Sequence, residues 1–440
     1  MNKQMYDLCK WVLDTAGKAG AKDLRVSLGK SRFVEIQYRD RKPEIIKQAT
    51  TVQMGMDFFV AGRYSSQNTC DLRKDALKEF ISDAVSTTKL IAEDPYRTLP
   101  DPKYYQGQSG IDLKIADASI DDLSVEQKHA IVKAAENAAW SAGGDKIVTV
   151  ETGFNDELGE SVTLTSNGFS GYSSSTSFST EVSVSVRDEG NRRPEAYDYA
   201  ECHFHKKLAN PEAIGVNAAR KALAKLGAKK IATATLPVII ENRNVHRVIS
   251  GFFEAFEGRN IYRKQSFLAD KKDQKIGSDK FVLVDDPLIP EGQGSRLYDG
   301  DGFAAKKRTI IEAGVLKDFY IDWYYSRKLG LEPTSGSTSN MIVPAGTRSV
   351  DDIIKDLGKG ILVTDFLGGN SNPTTGDFSV GIFGQYFEDG KIVHPVSEMN
   401  IADNHLKFWH KLAECANDPW LYSDWRMPSM VFSDVVVSGV

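Results

Sequence analysis

The chain has 440 residues, of which 41% are hydrophobic and 26% charged, and it carries a formal net charge of -5. That composition belongs to a globular protein, with about three domains expected at roughly 150 residues each. The acidic balance gives no general pull toward nucleic acid, and no apolar run approaches the roughly 20 residues that span a bilayer, which argues against both kinds of partner.

A secretory signal is also missing from the N-terminus, so a cytoplasmic protein is expected. Cys9, Cys70, Cys202 and Cys415 lack CxxC spacing and fit reduced thiols. The first domain, residues 1–105, opens with Met5, Leu8, Cys9, Val12 and Ala16 at helical spacing. Apolar and polar residues then alternate through 24–38 and 52–60 as in strands. Leu72, Ala76, Phe80, Ala84 and Leu90 or Ile91 predict the buried stripe of a second helix. Pro95, Pro100 and Pro102, with Gly107 and Gly110, interrupt regular structure and place a border near residue 105.

In the second domain, residues 106–230, Ser124 and Gln127 form a capping-box pair ahead of Ile131, Ala134 and Ala138. Asn167-Gly168 and Gly190-Asn191 are turn signals, and Val182, Val184 and Val186 alternate with Ser183 and Ser185. No motif supplies a base for these serines, so the stretch reads as a half-solvated strand and not as a nucleophile. Asn210 and Pro211 begin a helix that Gly227 is expected to end, and the lysines of 225–230 read as solvated charges there. Residues 231–440 read as one larger β-rich domain. Its expected elements are a strand over 236–240, a helix over 243–256, a strand over 281–284, hairpins at Ala313-Gly314 and Asp389-Gly390, and a last helix over 404–415. Strands and helices come in clusters, which predicts a multi-domain α+β fold with mixed or antiparallel sheets and packed helices.

On the 243–256 helix, Val245, Val248, Ile249, Phe252, Phe253 and Phe256 form an apolar stripe. Arg243, His246, Ser250, Glu254 and Glu257 fall on the opposite face. A catalytic zinc needs three protein ligands, a polarised water and a base, and this face offers it little beyond Glu254. His405 and His410 are five residues apart, which on one regular helix turns them about 140° away from each other. Phe408, Trp409 and Leu412 beside them favour a core-packed helix with the histidines at its margins. His203 and His205 share a face if 199–205 is a strand, but without a third ligand they read as surface or interface polarity. Asp299 and Asp301 read as a turn, because the later carboxylates of a calcium loop are missing. The glycines of 292–296 lack phosphate-loop context and read as permitting close approach of another chain. Cys415 reads as a buried, inert thiol. No catalytic residue and no metal ligand is assigned on these grounds.

Four strings go further: FLGGNSNPTTGDFSVGIFG over 366–384, Asp-Asp-Pro over 285–287, Ile-Glu-x-Gly-Val-Leu over 311–316 and Pro-Ser-x-Val-Phe over 428–432. With them the chain resembles the TldE/PmbA branch of the TldD/PmbA family. One string departs, since a Gly-Asn-x-x-Arg motif is loose here as GSTSN over 336–340 with Arg348 beyond it. The TldD branch is built around a zinc-binding HExxxH helix, and aligning Phe256-Glu257-Gly258 with the Leu-Glu-Gly that trails that motif puts Ile249 and Glu254 at the histidine positions. Ser250 then replaces the glutamate base, and Cys415 falls where TldD-like members complete their metal site. The resemblance implies a subunit with no cofactor of its own, the zinc residing in a TldD-like partner of a hetero-oligomer that cleaves unfolded peptides. It also implies the label "modulator of DNA gyrase". A peptide added as a strand would run along Ser250, Glu254, Glu257, Asn370, Asn372, Thr375, Asp377 and Ser379, with Cys415 nearby. Two alternatives stand beside it: a self-associating metallopeptidase using Glu254, His405, His410 and Cys415, and a regulatory peptide- or gyrase-binding protein without proteolysis.

Overall fold

A computed structural model describes residues 2–440. The N-terminal helical spacing forms α1 (Lys3–Ala19), which Asn2 caps and which buries Met5, Cys9, Val12 and Ala16. The alternating segments that follow form β1 (Asp23–Arg39), β2 (Lys42–Val60) and β3 (Arg63–Thr69), and then comes α2 (Lys74–Thr88). Its buried face is Leu77, Ile81, Ala84, Val85 and Thr88, a step round from the expected stripe, because Leu72 lies before the helix and Leu90 is 86% exposed beyond it.

After the proline-rich segment, the capping box of Ser124 and Gln127 opens α3 (Val125–Gly143) as expected. It buries Val132, Ala135 and Ala139, each one residue beyond the expected set, together with Lys128, Glu136 and Gly143. Docking against the next helix fixes that phase: a Cβ on Gly215 would stand 2.0 Å from the carbonyl oxygen of Ala135, so only glycine permits the approach. The remaining elements here are β4 (Ile147–Thr165), β5 (Ser170–Val186), β6 (Glu195–Cys202) and α4 (Pro211–Leu223). Asn210 caps α4 as expected, but the helix stops at Leu223, ahead of Gly227. Lys225 then turns inward, where its Nζ donates to Asp365 at 2.8 Å and to the carbonyl of Glu195 at 2.7 Å, so it is a buried clamp and not a solvated charge.

These strands make one antiparallel sheet in the order β3-β2-β1-β4-β5-β6. The even-numbered residues of β1, β2 and β4 face the helices: Leu24, Val26, Met54, Phe58 and Val162 lie in the core that also holds Met5, Val12, Leu77 and Ile81 of α1 and α2. Val182 and Val184 do the same under α3 and α4. The β1–β4 ladder runs from Arg25 opposite Thr165 to Arg39 opposite Glu151, and so joins strands from both sides of position 105.

The C-terminal part contains β7 (Ala234–Ile240), α5 (Asn242–Phe253), α6 (Gly258–Tyr262), β8 (Leu283–Asp285), β9 (Arg308–Glu312) and β10 (Val315–Leu316). It continues with α7 (Trp323–Leu329), β11 (Met341–Ile342), α8 (Val350–Leu357), β12 (Gly360–Ser371), β13 (Asp377–Glu388) and β14 (Lys391–Asn404). Last come α9 (His405–Phe408), β15 (Leu412–Cys415), β16 (Trp425–Arg426) and β17 (Met430–Ser438). The helix expected over 404–415 is thus one α turn capped by Asn404 and a 3-10 turn over Trp409–Lys411, after which the chain straightens to pair β15 with β17. Pairing with a strand overrides helical spacing there.

Two sheets result, β10-β9-β8-β11-β16 and β14-β13-β12-β7-β17-β15. In the second, β14 also pairs with β17 through Asn400–Ser438 and Ile401–Val437, which closes β14, β13, β12, β7 and β17 into a ring. Both are mixed, since β12 runs parallel to β7 and β11 parallel to β16. The architecture is therefore α+β, with one antiparallel and two mixed sheets. The main core of the C-terminal part has Phe252, Phe256, Phe281, Phe408, Trp409 and Phe432 among its fully buried side chains, and a smaller cluster joins Ile353 of α8 to Ile239, Phe387 and Val431. No described helix is long and apolar enough to cross a membrane.

Candidate functional site

The ring departs from regular pairing at several places, and one of them adjoins α5. β12 pairs with β7 only through Ile361, Leu362 and Val363. Beyond Val363 no described strand pairs with that edge, and α5, which follows directly from β7, lies beside it. The ladder to β13 also breaks register between Val363 and Asp365 and between Phe366 and Gly369. Gly368 and Gly369 take φ of 80° and 143°, and a Cβ on Gly369 would lie 2.6 Å from a methyl of Val380, so glycine is required at this bulge.

A groove of about 320 Å³ opens between the two elements. Arg247, Ser250 and Gly251 come from α5, Glu254 from the 3-10 turn that follows it, and Phe366, Gly368, Gly369, Asn370 and Ser371 from β12. The apolar stripe of α5 turns Val245, Val248, Ile249, Phe252 and Phe253 inward, which leaves Ser250 and Glu254 on the outer face. Ile249 is fully buried. Arg247 stands 3.8 Å from Asp365, the residue held from the other side by Lys225. Where α5 touches β12 the groove closes, Ser371 Oγ donating to the carbonyl of Gly251 at 3.1 Å.

His405 forms part of the floor. Far from the margin expected for it, the residue is 1% exposed, with its ring stacked on Phe378 and Phe267. Its Nε2 lies 3.0 Å from Ser371 Oγ, and among the described residues Nδ1 has no partner. Desolvation drives the imidazole down to about 4, so it is neutral at ordinary pH.

Of the residues expected along a peptide path, Ser250, Glu254 and Asn370 meet in this groove and the others lie elsewhere. Asn372, Thr375 and Asp377 build the turn between β12 and β13: Asn372 N donates to the Asp377 carbonyl at 2.8 Å, and Asn404 Nδ2 holds the Asp377 carboxylate at 2.8 Å. Ser379 exchanges hydrogen bonds with Asn400 on β14. Glu257 pairs with Arg259 at 3.2 Å. Cys415 is buried on β15 opposite Met430, its thiol pushed up to about 11 by desolvation. Arg247, Phe366, Ser371 and His405 were missed as members of the site. The nearest signal was position, since Phe366 and Ser371 lie within the Gly-rich string and Arg247 on the exposed side of the amphipathic helix.

The other suspected ligands have structural roles. His203 is buried past the end of β6, its Nδ1 2.6 Å from the carbonyl of Thr176 and its Nε2 3.2 Å from that of Gly292, so it is an internal tie and not surface polarity. His205 Nδ1 pairs with Asp117 at 2.9 Å. Asp299 Oδ1 accepts from the amides of Asp301 and Phe303, as the expected turn requires. Gly292 and Gly294 permit close approach of this same chain, since a Cβ on either would strike Asn340 or Ser339. Asn340, in the loose GSTSN string, is fully buried and receives the Gly294 amide on Oδ1 at 2.9 Å.

Among the described residues no three His, Cys, Asp or Glu side chains are grouped so as to hold a metal ion. In the groove the candidate donors are Glu254 and His405, with the imidazole engaged by Ser371 and enclosed by phenylalanines, while His410 and Cys415 stand apart from it. A catalytic zinc ligated by three side chains does not fit this set.

Comparison with known proteins places this arrangement. The central-domain model of the PmbA/TldA metallopeptidases matches residues 118–226, and their C-terminal-domain model matches residues 233–439. The metalloprotease PmbA homolog of Haemophilus influenzae is 28% identical, the match covering 99% of this chain and 96% of that protein. A crystal structure from Bacteroides thetaiotaomicron, named as a modulator of DNA gyrase, is 35% identical with a TM-score of 0.96 and covers 100% of both chains. TldE from Thermococcus kodakarensis, at 21% identity, shares the fold with a TM-score of 0.84 over 98% of this chain and 100% of its own. The chain belongs to the PmbA/TldD metallopeptidase family.

Proposed function

We propose that this chain is a TldE/PmbA-like subunit of a TldD/TldE-type peptidase assembly, supplying a groove for unfolded peptide while a TldD-like partner supplies the zinc. The observation that carries this reading is the pairing of an open strand edge with a helix that lacks a ligand set. Past Val363 the edge of β12 has no strand neighbour, and on α5 the position aligned with a zinc histidine is Ile249, buried in the core. An extended peptide laid along 367–371 would add as a strand to that edge through backbone hydrogen bonds, which bind chain in general and leave side-chain choice to the walls. Glu254 and Arg247 give those walls one charge of each sign, and Phe366 and Val380 give apolar contact. Folded proteins present few free strands, so such a groove selects unfolded substrates.

The test uses the purified full-length chain, alone and mixed with a TldD-like protein. Zinc content, and cleavage of an unfolded peptide with and without chelator, are measured in each case. Cleavage is expected only in the mixture, with far less than one zinc per chain in the isolated subunit. Chelator-sensitive cleavage by the chain alone, with one tightly held zinc each, would overturn the proposal. Peptide binding with no cleavage in any combination would convert it into a regulatory binding protein.

A further inference from the structure

A second cavity, of about 350 Å³, lies between the turn Pro102–Tyr105 and the C-terminal part. Its wall includes five cationic side chains, Lys103, Arg296, Lys306, Lys307 and Arg308, against two carboxylates, Asp285 and Asp299, an excess of three positive charges. None of these residues lines the groove beside α5.

The protein itself occupies Asp285 on both oxygens and Asp299 on Oδ1, while among the described residues the buried Asp299 Oδ2 has no partner. Asp285 Oδ1 accepts from the Ser339 amide at 3.0 Å, and Oδ2 accepts from the Tyr320 hydroxyl at 2.9 Å and from Arg308 at 3.3 Å. Asp299 spends Oδ1 on the amides of Asp301 and Phe303, and burial pushes its carboxyl above the usual range. Two of the cations are matched in the same way, Arg308 also by Asp318 at 2.9 Å and Lys307 by Asp286 at 3.3 Å. Arg296 donates to the carbonyls of Thr338 and Ser337 at 2.7 Å each, contacts that fix the guanidinium without cancelling its charge.

Lys103 and Lys306 are exposed, and among the described residues neither forms an ion pair. The acids beside Lys103 serve other donors, Asp101 its backbone amide at 3.0 Å and Glu332 the Tyr104 hydroxyl at 2.7 Å. Lys103 Nζ lies 4.7 Å from the centroid of the Tyr104 ring, a contact that leaves its charge uncancelled. A concave wall with a fixed guanidinium at its back and two ammonium groups without a carboxylate partner at its mouth concentrates anions. We propose that this cavity is an oxyanion site, taking a carboxylate or phosphate group of a small molecule or a short peptide end. Arg296 orients the group and Lys103 and Lys306 neutralise it.

Calorimetric titration of the full-length chain tests this with three probes: inorganic phosphate, a short peptide with a free C-terminal carboxylate, and the same peptide amidated. At least one oxyanion is expected to bind, more weakly as salt rises, and about tenfold more weakly in the Lys103→Gln/Lys306→Gln double variant. Both lysines are on the surface, so an unchanged melting temperature should certify the fold. Lys355→Gln, on α8 and outside the cavity, should leave binding unchanged. Binding of phosphate alone assigns the site to phosphate, and binding of the free acid but not the amide assigns it to peptide ends. Absence of phosphate binding together with no preference for acid over amide, or either of these affinities surviving the double substitution, overturns the proposal. Peptide binding that is equal for acid and amide and survives the double substitution reports the groove beside α5, so this site is read by the phosphate arm and by the difference between acid and amide.

Discussion

The antiparallel sheet of β1 to β6 and the sheet that contains the ring each hold six strands, but the first keeps long ladders with few interruptions. β1 pairs β4 over fifteen consecutive positions without a break, whereas β12 pairs β13 with two register shifts and leaves its other edge after three pairs. The regular sheet carries a two-residue period of burial under its helices. The irregular one gives up pairing at one edge, and the freed backbone lies beside a helix whose polar face is turned to the same space. Regularity here builds a scaffold, and the departure from it opens the groove for which peptide binding is proposed.

Substitutions can break or sharpen that contrast. The largest effect is expected from Phe252→Ala. The ring packs on Phe256, Phe281, His405 and Trp409 beneath the groove, and its loss should cost about 3–5 kcal/mol in urea unfolding. A loss below about 1 kcal/mol would mean that this core repacks, contrary to the fixed floor described above.

Acid separates the two regions next. In the unfolded chain the imidazole of His405 titrates near 6.5, but in the fold only near 4 because of desolvation. Between those values the unfolded state binds the extra proton, so stability should fall as pH drops from 6.5 toward 4, by on the order of 3 kcal/mol. Asp117, on the segment packed against the first sheet, acts lower. Burial pushes its carboxyl up, but hydrogen bonds from Ser119 and His205 outweigh this and hold it at about 2, against 3.8. Its contribution is present above pH 3.8 and fades as pH falls to 2. Thermal melts in His405→Gln should lose the first step and keep the second.

Lys225→Met examines the tie between the two regions. It removes the bonds to Asp365 and to the Glu195 carbonyl, for an expected loss of about 1–3 kcal/mol, with weaker peptide binding in fluorescence titration. The smallest change in stability should come from Glu254→Gln, within about 0.5 kcal/mol on an exposed helix face. Affinity for a lysine-containing peptide should nonetheless drop, and an unchanged affinity would remove Glu254 from the groove's working wall.

The scaffold was the more legible part. Alternation marked β1, the buried half of β2 and β5, and caps marked the starts of α3 and α4, because these are local rules. The burial phase of α2 and α3 escaped by about a residue, since docking against a neighbour, with Gly215 on Ala135, selects the face. The last helix escaped because β17 offers β15 a partner some fifteen residues further along. At the groove, Ser250, Glu254 and Asn370 were visible as polar groups on a helix and a Gly-rich string. His405 was not, because aromatic neighbours from distant segments bury it. Lys225 looked like any terminal lysine until Asp365, 140 residues later, met it.

The β1–β4 ladder reaches across the proline-rich segment around residues 95–110 and makes that segment nearly dispensable as a mechanical link. A protease cut there would sever the covalent thread while the two pieces stayed zipped along one sheet. The same zipper implies that neither piece is a natural unit for expression: each, made separately, would expose a long raw strand edge and tend to stick to whatever strand it met first.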